Sequence, residues 1–555
     1  MTKRSCCAVV APILVGLPMC VLPLTAEVGS PALTARHSVR FAVSPPLREL
    51  ANLRMRPQYA LEGEGHLPRV DFHSGQVLGP AFDPVEQSRP GTRSNISVGL
   101  NVPGIPRDPN NGYPGRPDTN AAVGDTQVVE WVNVRYAVFN KTTGEEELGP
   151  IDGNLLWQNL GGPCYENNDG DIIAQWDKVH HRWLLAQNDF NYPGYEPPFY
   201  VCVAVSTSAD ATGSYFLYQF PLGNNLPDYP KWGIWSSGYF QTQNAYSGIN
   251  YAGAYVCAYN SAKLLTGDSS AEQICFQLTP SDYALLPGDV DSQIPPPANQ
   301  DEFFIGSYNV DQTNNHLYIY SMHPDFINPS QSTFTGSGLA NPITVPTYTA
   351  FCPSPAHQNC VPQEGTPTLL GSLGDVLMYR LAYWDDGPLA NVGTHAGRLP
   401  RQHWYVNHVV TASGGQAGVR WYEFRAPVRV VTVSDVTLFQ AGTLAPDSSY
   451  RWMGSIAGDK AGDIALGYSI ASSTMWDSIA ISGRVPSDPL GQMEAETIAT
   501  AGTGSQGGDT GWGDYSSMAL DSDGCTFWYA QEYYVTPVSD TWQTSLISFR
   551  FNGCH

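Results

Sequence analysis

One local pattern recurs along most of this chain: a polar residue, a short apolar strand, a turn of Asp, Ser, Gly or Asn, then a second strand rich in aromatics. It occurs at 121–124 with 128–134, 172–176 with 183–187, 231–235 with 239–243, and 303–310 with 317–322. It returns at 376–384 with 404–410 and 419–424, at 452–457 with 464–468, and at 515–520 with 525–530. The spacing averages about 60 residues, above the ~40–50 of common blade repeats, because several loops are long. A hairpin unit of this kind cannot bury both faces alone, whereas copies set side by side cover one another. Seven copies predict an all-β chain, a seven-bladed β-propeller over 115–555; a tandem of β-sandwiches is the competing architecture.

Composition agrees with strands rather than helices. Of 555 residues 54 are Gly and 44 are Pro, only 14% are charged and 12% are aromatic. Glycine and proline at that density interrupt long helices, and the aromatic content is too high for a disordered chain.

The first residues read as a secretory signal over 1–26: Lys3 and Arg4, an apolar stretch from Ala8 to Leu24 broken by Pro12, Pro18 and Pro23, then Leu24-Thr25-Ala26. That stretch is too short and too rich in proline for a membrane-spanning helix, so no membrane insertion is expected. Residues 27–114, with scattered arginines and prolines and no clear strand period, are expected to form an extended N-terminal arm or propeptide.

The formal net charge is −23, and the first seventy positions hold eight basic and four acidic residues, so the remainder is more acidic still. Such a field repels nucleic acid and anionic lipid and favours neutral or cationic partners or metal ions. Eight cysteines follow the leader: Cys164, Cys202, Cys257, Cys275, Cys352, Cys360, Cys525 and Cys554. An even number in an exported chain points to disulfides, and pairing in consecutive order is the simplest scheme. The expectation is a secreted monomer, extracellular or periplasmic.

The runs 377–383 (LMYRLAY), 418–423 (GVRWYE), 450–457 (YRWMGSIA) and 512–518 (WGDYSSM) resemble a group of uncharacterised secreted bacterial β-propeller proteins. That resemblance covers about residues 115–554 and implies a fold without implying a chemistry. A looser similarity is to sialidase-like propellers, which repeat an Asp-box of the form Ser-x-Asp-x-Gly-x-Thr-Trp. The nearest segment, 521–528 (DSDGCTFW), does not match that register.

In a propeller the residue just ahead of each innermost strand faces one mouth of the central channel. Those positions read Asp118, Asp171, Asp228, Asp301 with Glu302, Asp375, Arg451 and Asp514. Two carboxylates held across such a mouth suit glycoside hydrolysis, one protonated as acid and the other charged. Asp228 and Asp514 are the candidate catalytic pair, because Tyr229, Trp512 and Tyr515 beside them offer faces for a sugar ring. The same carboxylates would otherwise cap neighbouring backbone N–H groups or hold a calcium ion near the channel axis.

Arg380, Arg420 and Arg451 stand among aromatics, where each would grip a carboxylated sugar or pair with a neighbouring acid. His403 and His408 are candidates for a lyase base, or structural. The oxygen-rich run 166–171 (ENNDGD) offers Asp169 and Asp171 to a calcium ion, or forms a plain Asx-turn. The expectation is therefore a carbohydrate-active propeller with a polysaccharide or glycan partner, a glycoside hydrolase or polysaccharide lyase. The alternative is a non-catalytic extracellular propeller that binds a glycan or a protein.

Overall fold

The computed structural model describes residues 31–50, 82–107, 115–191, 194–307, 313–352, 360–374, 376–387, 400–508 and 511–555. The expected leader at 1–26 and Asp375 lie outside them. The chain is all-β, built as antiparallel meanders that follow one another in sequence.

The first meander runs Asn120–Val123, Gln127–Val132, Arg135–Asn140 and Glu146–Asp152, and the second Ile172–Asp177, Arg182–Asp189, Phe199–Ser206 and Tyr215–Gly223. The third is Leu226–Trp235, Gly238–Ser247, Asn250–Tyr259 and Glu272–Gln277. Tyr283–Val290, Glu302–Ser307, Thr313–His323 and Pro342–Thr349 make the fourth, and Leu377–Asp385, Arg401–Thr411, Ala417–Pro427 and Thr437–Leu444 the fifth. Tyr450–Gly458, Ile464–Ser472, Met475–Arg484 and Thr497–Thr500 form the sixth. The seventh takes Ser517–Leu520, Thr526–Tyr534 and Trp542–Phe551 from the C-terminus and Ile96–Pro103 from near the N-terminus.

The first strand of each meander packs against the first strand of the next, and that of the seventh packs against that of the first, which closes a ring. Those of the fourth and fifth are also hydrogen-bonded to each other in parallel. The ring strands have little room for polar exposure: Asn120–Val123 and Ile172–Asp177 are buried at every position. Large side chains fill the core within and between the meanders: Trp131, Trp183, Trp232, Trp421, Trp452 and Trp512 are all buried. Burying a large apolar side chain is worth roughly 1.5–3 kcal/mol, so each contributes to the cohesion of the fold.

Turn chemistry explains why the hairpins fall where they do. Asp177 Oδ1 accepts the backbone N–H groups of Val179 and His180 at 3.0 and 2.9 Å, and Asp523 Oδ1 accepts those of Cys525 and Thr526, both at 2.7 Å. Each is an Asx-type turn that reverses the chain between the first and second strands of its meander.

The fourth unit differs from the sequence expectation. The sequence pattern puts the strand over 303–310 on the ring, whereas the ring position is taken by Tyr283–Val290, and Glu302–Ser307 is the second strand. Asp301 and Glu302 therefore do not stand at a ring entrance.

The described parts of 27–114 lie along outer edges of the meanders. Ala32–His37 pairs with Glu272–Gln277, Arg40–Val43 with Tyr215–Gly223, and Glu86–Gln87 with Thr437–Leu444. The eight cysteines pair in consecutive order: Cys164–Cys202, Cys257–Cys275, Cys352–Cys360 and Cys525–Cys554. Among the described residues no helix is long and apolar enough to cross a membrane.

Candidate functional site

Just before or within the first residues of six ring strands the backbone is unusual. Asp118, Asp171, Tyr229, Ala284, Leu373 and Met453 all take φ between 43° and 54°, the left-handed region that residues with a Cβ seldom adopt. Such residues persist only where surrounding structure holds them, which at this mouth is a set of hydrogen bonds between meanders.

Asp118 is fully buried; its Oδ1 accepts the Asp514 backbone N–H and its Oδ2 accepts Asn133 Nδ2, both at 2.6 Å. Asn133 Oδ1 in turn accepts the Asp171 N–H at 3.1 Å, and Asp171 Oδ2 accepts the Tyr229 N–H at 3.2 Å. This relay fastens the entrances of the seventh, first, second and third meanders to one another.

At its centre is Lys231, 1% exposed. Its ammonium stands 3.2 Å from the centre of the Tyr229 ring and 4.3 Å from that of Tyr515, and it donates to the Pro230 carbonyl at 3.0 Å. Burial pulls its pKa down to about 7, against the opposing pull of Asp171, Asp514, Asp118 and Asp228. Asp171 is moved the other way: burial first, then the charges of Asp228, Asp118 and Asp514, hold its carboxyl well above the usual carboxylate range. A buried acid, Asp171, therefore stands within electrostatic reach of two half-buried carboxylates, Asp228 and Asp514.

The neighbours complete the wall. Arg116 pairs with Asp514 at 3.4 Å, and Glu532, whose carboxyl burial pushes well up, accepts the Gly513 N–H at 2.5 Å. Tyr229 OH donates to the Asp514 carbonyl at 3.4 Å, and Tyr515 OH to that of Ile172 at 3.2 Å. A separate cavity among the ring strands is lined in part by Ala121, Ala174, Gln175, Tyr379, Arg380 and Ser517. Gln175 Nε2 donates to Tyr379 OH at 3.2 Å and to the Trp232 carbonyl at 2.7 Å, while its buried Oε1 has no hydrogen-bond partner among the described residues.

The sequence candidates thus divide. Asp228, Asp514, Tyr229 and Tyr515 come together around Lys231. Trp512 does not face the mouth with them; it is buried against Trp452 and Tyr534, with ring centres 5.3 and 5.7 Å away.

The three arginines do not meet. Arg380 is buried between Asp289, at 2.8 Å, and Asp291. Arg420 holds Asp83 at 2.6 Å and Thr443 Oγ1 at 2.5 Å, and Arg451 holds Glu496 at 2.7 Å and Asp447 at 3.0 Å.

Asp169 and Asp171 also point to different partners, Asp169 Oδ2 accepting the Phe190 N–H at 2.7 Å. His403 lies between Glu423 and Asp386, at 2.8 and 3.2 Å. His408, which burial and Arg420 hold well below the usual imidazole range, bonds Tyr422 OH at 2.9 Å. Neither histidine is at the mouth. Asp459, Cys525 and Cys554 cluster at metal-ligand distances, but the two cysteines form a disulfide and offer no thiolate.

Sequence reasoning assigned no role to Lys231, Asn133, Arg116 or Glu532. The available signal was a lysine inside an otherwise aromatic and apolar strand, 229–235 (YPKWGIW).

No family model matches the chain, and no curated protein matches it. Among solved structures it is similar to the α-L-arabinanase of Penicillium chrysogenum complexed with arabinobiose, at 11% identity and a TM-score of 0.35, over 83% of this chain and 100% of that one. It is similar also to the WD40 domain of SCAP from fission yeast, at 8% identity and a TM-score of 0.31, over 77% and 81%. The exo-β-1,3-galactanase of Phanerochaete chrysosporium with galactose aligns at 11% identity and a TM-score of 0.25, over 82% and 97%. Likenesses this loose carry no argument about chemistry, which rests on the mouth itself.

Proposed function

We propose that this chain is a secreted seven-bladed β-propeller that hydrolyses a glycan at the mouth around Lys231, with Asp228 and Asp514 as the working carboxylates. The blade count is supported by the cycle of first strands, and by the N-terminal strand Ile96–Pro103 completing the last meander. Export is supported by the four disulfides, since such bonds persist in oxidising compartments.

The observation that carries the reading is the convergence of Asp228 and Asp514, far apart in sequence, on one buried lysine and one proton-holding acid. Hydrolysis of a glycosidic bond needs one carboxyl to deliver a proton and another to act as base or nucleophile, which environments of unequal polarity can arrange. Lyase chemistry is less well served. It abstracts a proton beside a sugar carboxylate and needs a cation to neutralise that carboxylate, whereas Arg116, Arg380, Arg420 and Arg451 are each paired with a protein acid and Lys231 is buried against the Tyr229 and Tyr515 rings.

The test incubates the native chain and an Asp228→Asn/Asp514→Asn variant with a panel of polysaccharides, following reducing ends and unsaturated uronate together. Reducing ends released by the native chain and lost in a folded variant support the reading. Unsaturated product would replace it with a lyase, and retention without cleavage with a binding module.

A further inference from the structure

The cavity that Gln175 and Tyr379 line is separate from the Lys231 mouth and is walled by residues of the first, second, fourth, fifth and seventh ring strands and the positions just after them. Its volume is about 20 Å³. One water needs roughly 10–15 Å³, so there is room for one or two non-hydrogen atoms. Ala121, Ala174 and Ala519 make that room, and the wall reaches the surface at Ala519 and Lys178, which are partly exposed.

The charges of this wall balance. Lys178 pairs with Asp291 at 2.6 Å, and Arg380 lies between Asp291 and Asp289, the latter at 2.8 Å. Two cations face two carboxylates, so an ion entering here would give up its water without gaining a counter-charge.

The hydrogen bonds do not balance. Gln175 Oε1, in a side chain 3% exposed, is an acceptor with no donor among the described residues. Tyr379 OH accepts Gln175 Nε2 at 3.2 Å, and its own proton has no acceptor among the described residues. The Lys178 ammonium gives one of its three N–H groups to Asp291 and reaches no other acceptor among them. An occupant has to donate to Gln175 and accept from Tyr379 or Lys178 in a space of one or two atoms. A hydroxyl, with one donor and two lone pairs, meets both demands, and the alanines suit the carbon that bears it.

We propose that this cavity is a second ligand site, which takes the hydroxymethyl group of a neutral sugar or polyol. The inference stands on the cavity and not on the glycan reading of the Lys231 mouth.

The experiment is a ligand-observed NMR titration of the full chain with four probes: methyl glucoside, methyl xyloside, which lacks the hydroxymethyl group, methyl glucuronoside, which has a carboxylate in its place, and glycerol. The glucoside is expected to bind at least about fivefold more tightly than the xyloside or the glucuronoside, the low end of what satisfying a buried polar group is worth. Binding of glycerol without the glucoside supports the site and assigns it to free polyols. Binding should be lost in Ala519→Leu, which fills the space, and in Gln175→Met, which removes the acceptor, and should persist in Asp228→Asn/Asp514→Asn.

Xyloside or glucuronoside binding as tightly as the glucoside, binding that survives both cavity variants, or binding of none of the four overturns the proposal. Loss of the glucoside in Asp228→Asn/Asp514→Asn, with both cavity variants unaffected, would move that ligand to the Lys231 mouth and overturn the second site. If either cavity variant does not fold, a crystal of the native chain soaked in the tighter of glucoside and glycerol decides. A ligand oxygen at Gln175 Oε1 supports the site, and water alone there overturns it.

Discussion

The Lys231 ammonium lies 3.2 Å from the centre of the Tyr229 ring, two positions earlier on the same ring strand, and that side chain is 7% exposed. The contact places a cation inside an acidic cluster and makes Lys231 the counter-charge for carboxylates drawn from different meanders. Replacing it by methionine keeps most of the volume and removes the charge. Lys231→Met removes both a counter-charge for ionised carboxylates and the burial cost that pulls the lysine down to about 7, so its net cost near neutral pH is expected to stay below about 3–5 kcal/mol, the figure for a buried pair deprived of one partner. The cost should shrink at pH 4. Without the lysine the folded-state carboxyl pKa values rise further, and stability linked to a raised pKa is present at low pH and lost as pH rises. Denaturant titrations at both pH values check this; an equal cost at each would contradict it.

Glu130 gives a second pH dependence, at the joint where the chain ends meet. It is fully buried, accepts the Ile105 N–H at 2.7 Å, and is pushed up to about 7 by burial, with Thr544 and Ile105 opposing. The folded pKa exceeds the unfolded one, so the folded chain binds more protons between about pH 4.5 and 7. Its contribution is complete below that window and is lost as pH rises through it, by about 3 kcal/mol. Glu130→Gln should therefore stabilise the chain at pH 8 and leave it little changed at pH 4.5, as read by thermal unfolding. A variant without effect at pH 8 would contradict this.

The closeness of neighbouring ring strands can be tested at Gly233. A Cβ there would stand well inside contact distance of the Gly288 carbonyl oxygen, which is backbone and cannot rotate away. Gly233→Ala should cost about 1–3 kcal/mol, the usual penalty for overpacking. A neutral result in denaturant unfolding would mean that the third and fourth meanders are further apart than described.

Much of this architecture was legible because strands and their turns are local. The hairpins at 172–187, 452–468 and 515–530 announce themselves through apolar runs broken by Asp and Gly, and they form where expected. Tyr283–Val290 was missed because Pro287 and Gly288 interrupt its apolar run, and the error moved Asp301 to a ring entrance it does not occupy. The edge strands before residue 104 were missed for a different reason: their partners are hundreds of residues away, and nothing local reports such pairing. The site divides in the same way. Entrance carboxylates can be read from their position ahead of a strand, whereas the partners of an arginine cannot, as Arg420 with Asp83 and Arg451 with Glu496 illustrate.

Those buried pairs make their own prediction. Arg380→Met leaves Asp289 and Asp291 without the guanidinium that neutralises them, and should lower stability by about 3–5 kcal/mol. It should leave ligand affinity at the Lys231 mouth within about twofold wherever the variant is folded, since RT ln 2 is a few tenths of a kcal/mol. Loss of affinity without loss of stability would return Arg380 to the binding surface.

The account stands most directly on the initial rate of reducing-end release by the native chain and by Asp228→Asn/Asp514→Asn, measured on the best substrate of the polysaccharide panel at a temperature where both are folded. The predicted result is a fall of at least about 100-fold, the lower end for losing a proton-transfer carboxyl. A folded double variant that releases reducing ends at the native rate would place the chemistry elsewhere and contradict the assignment of this mouth.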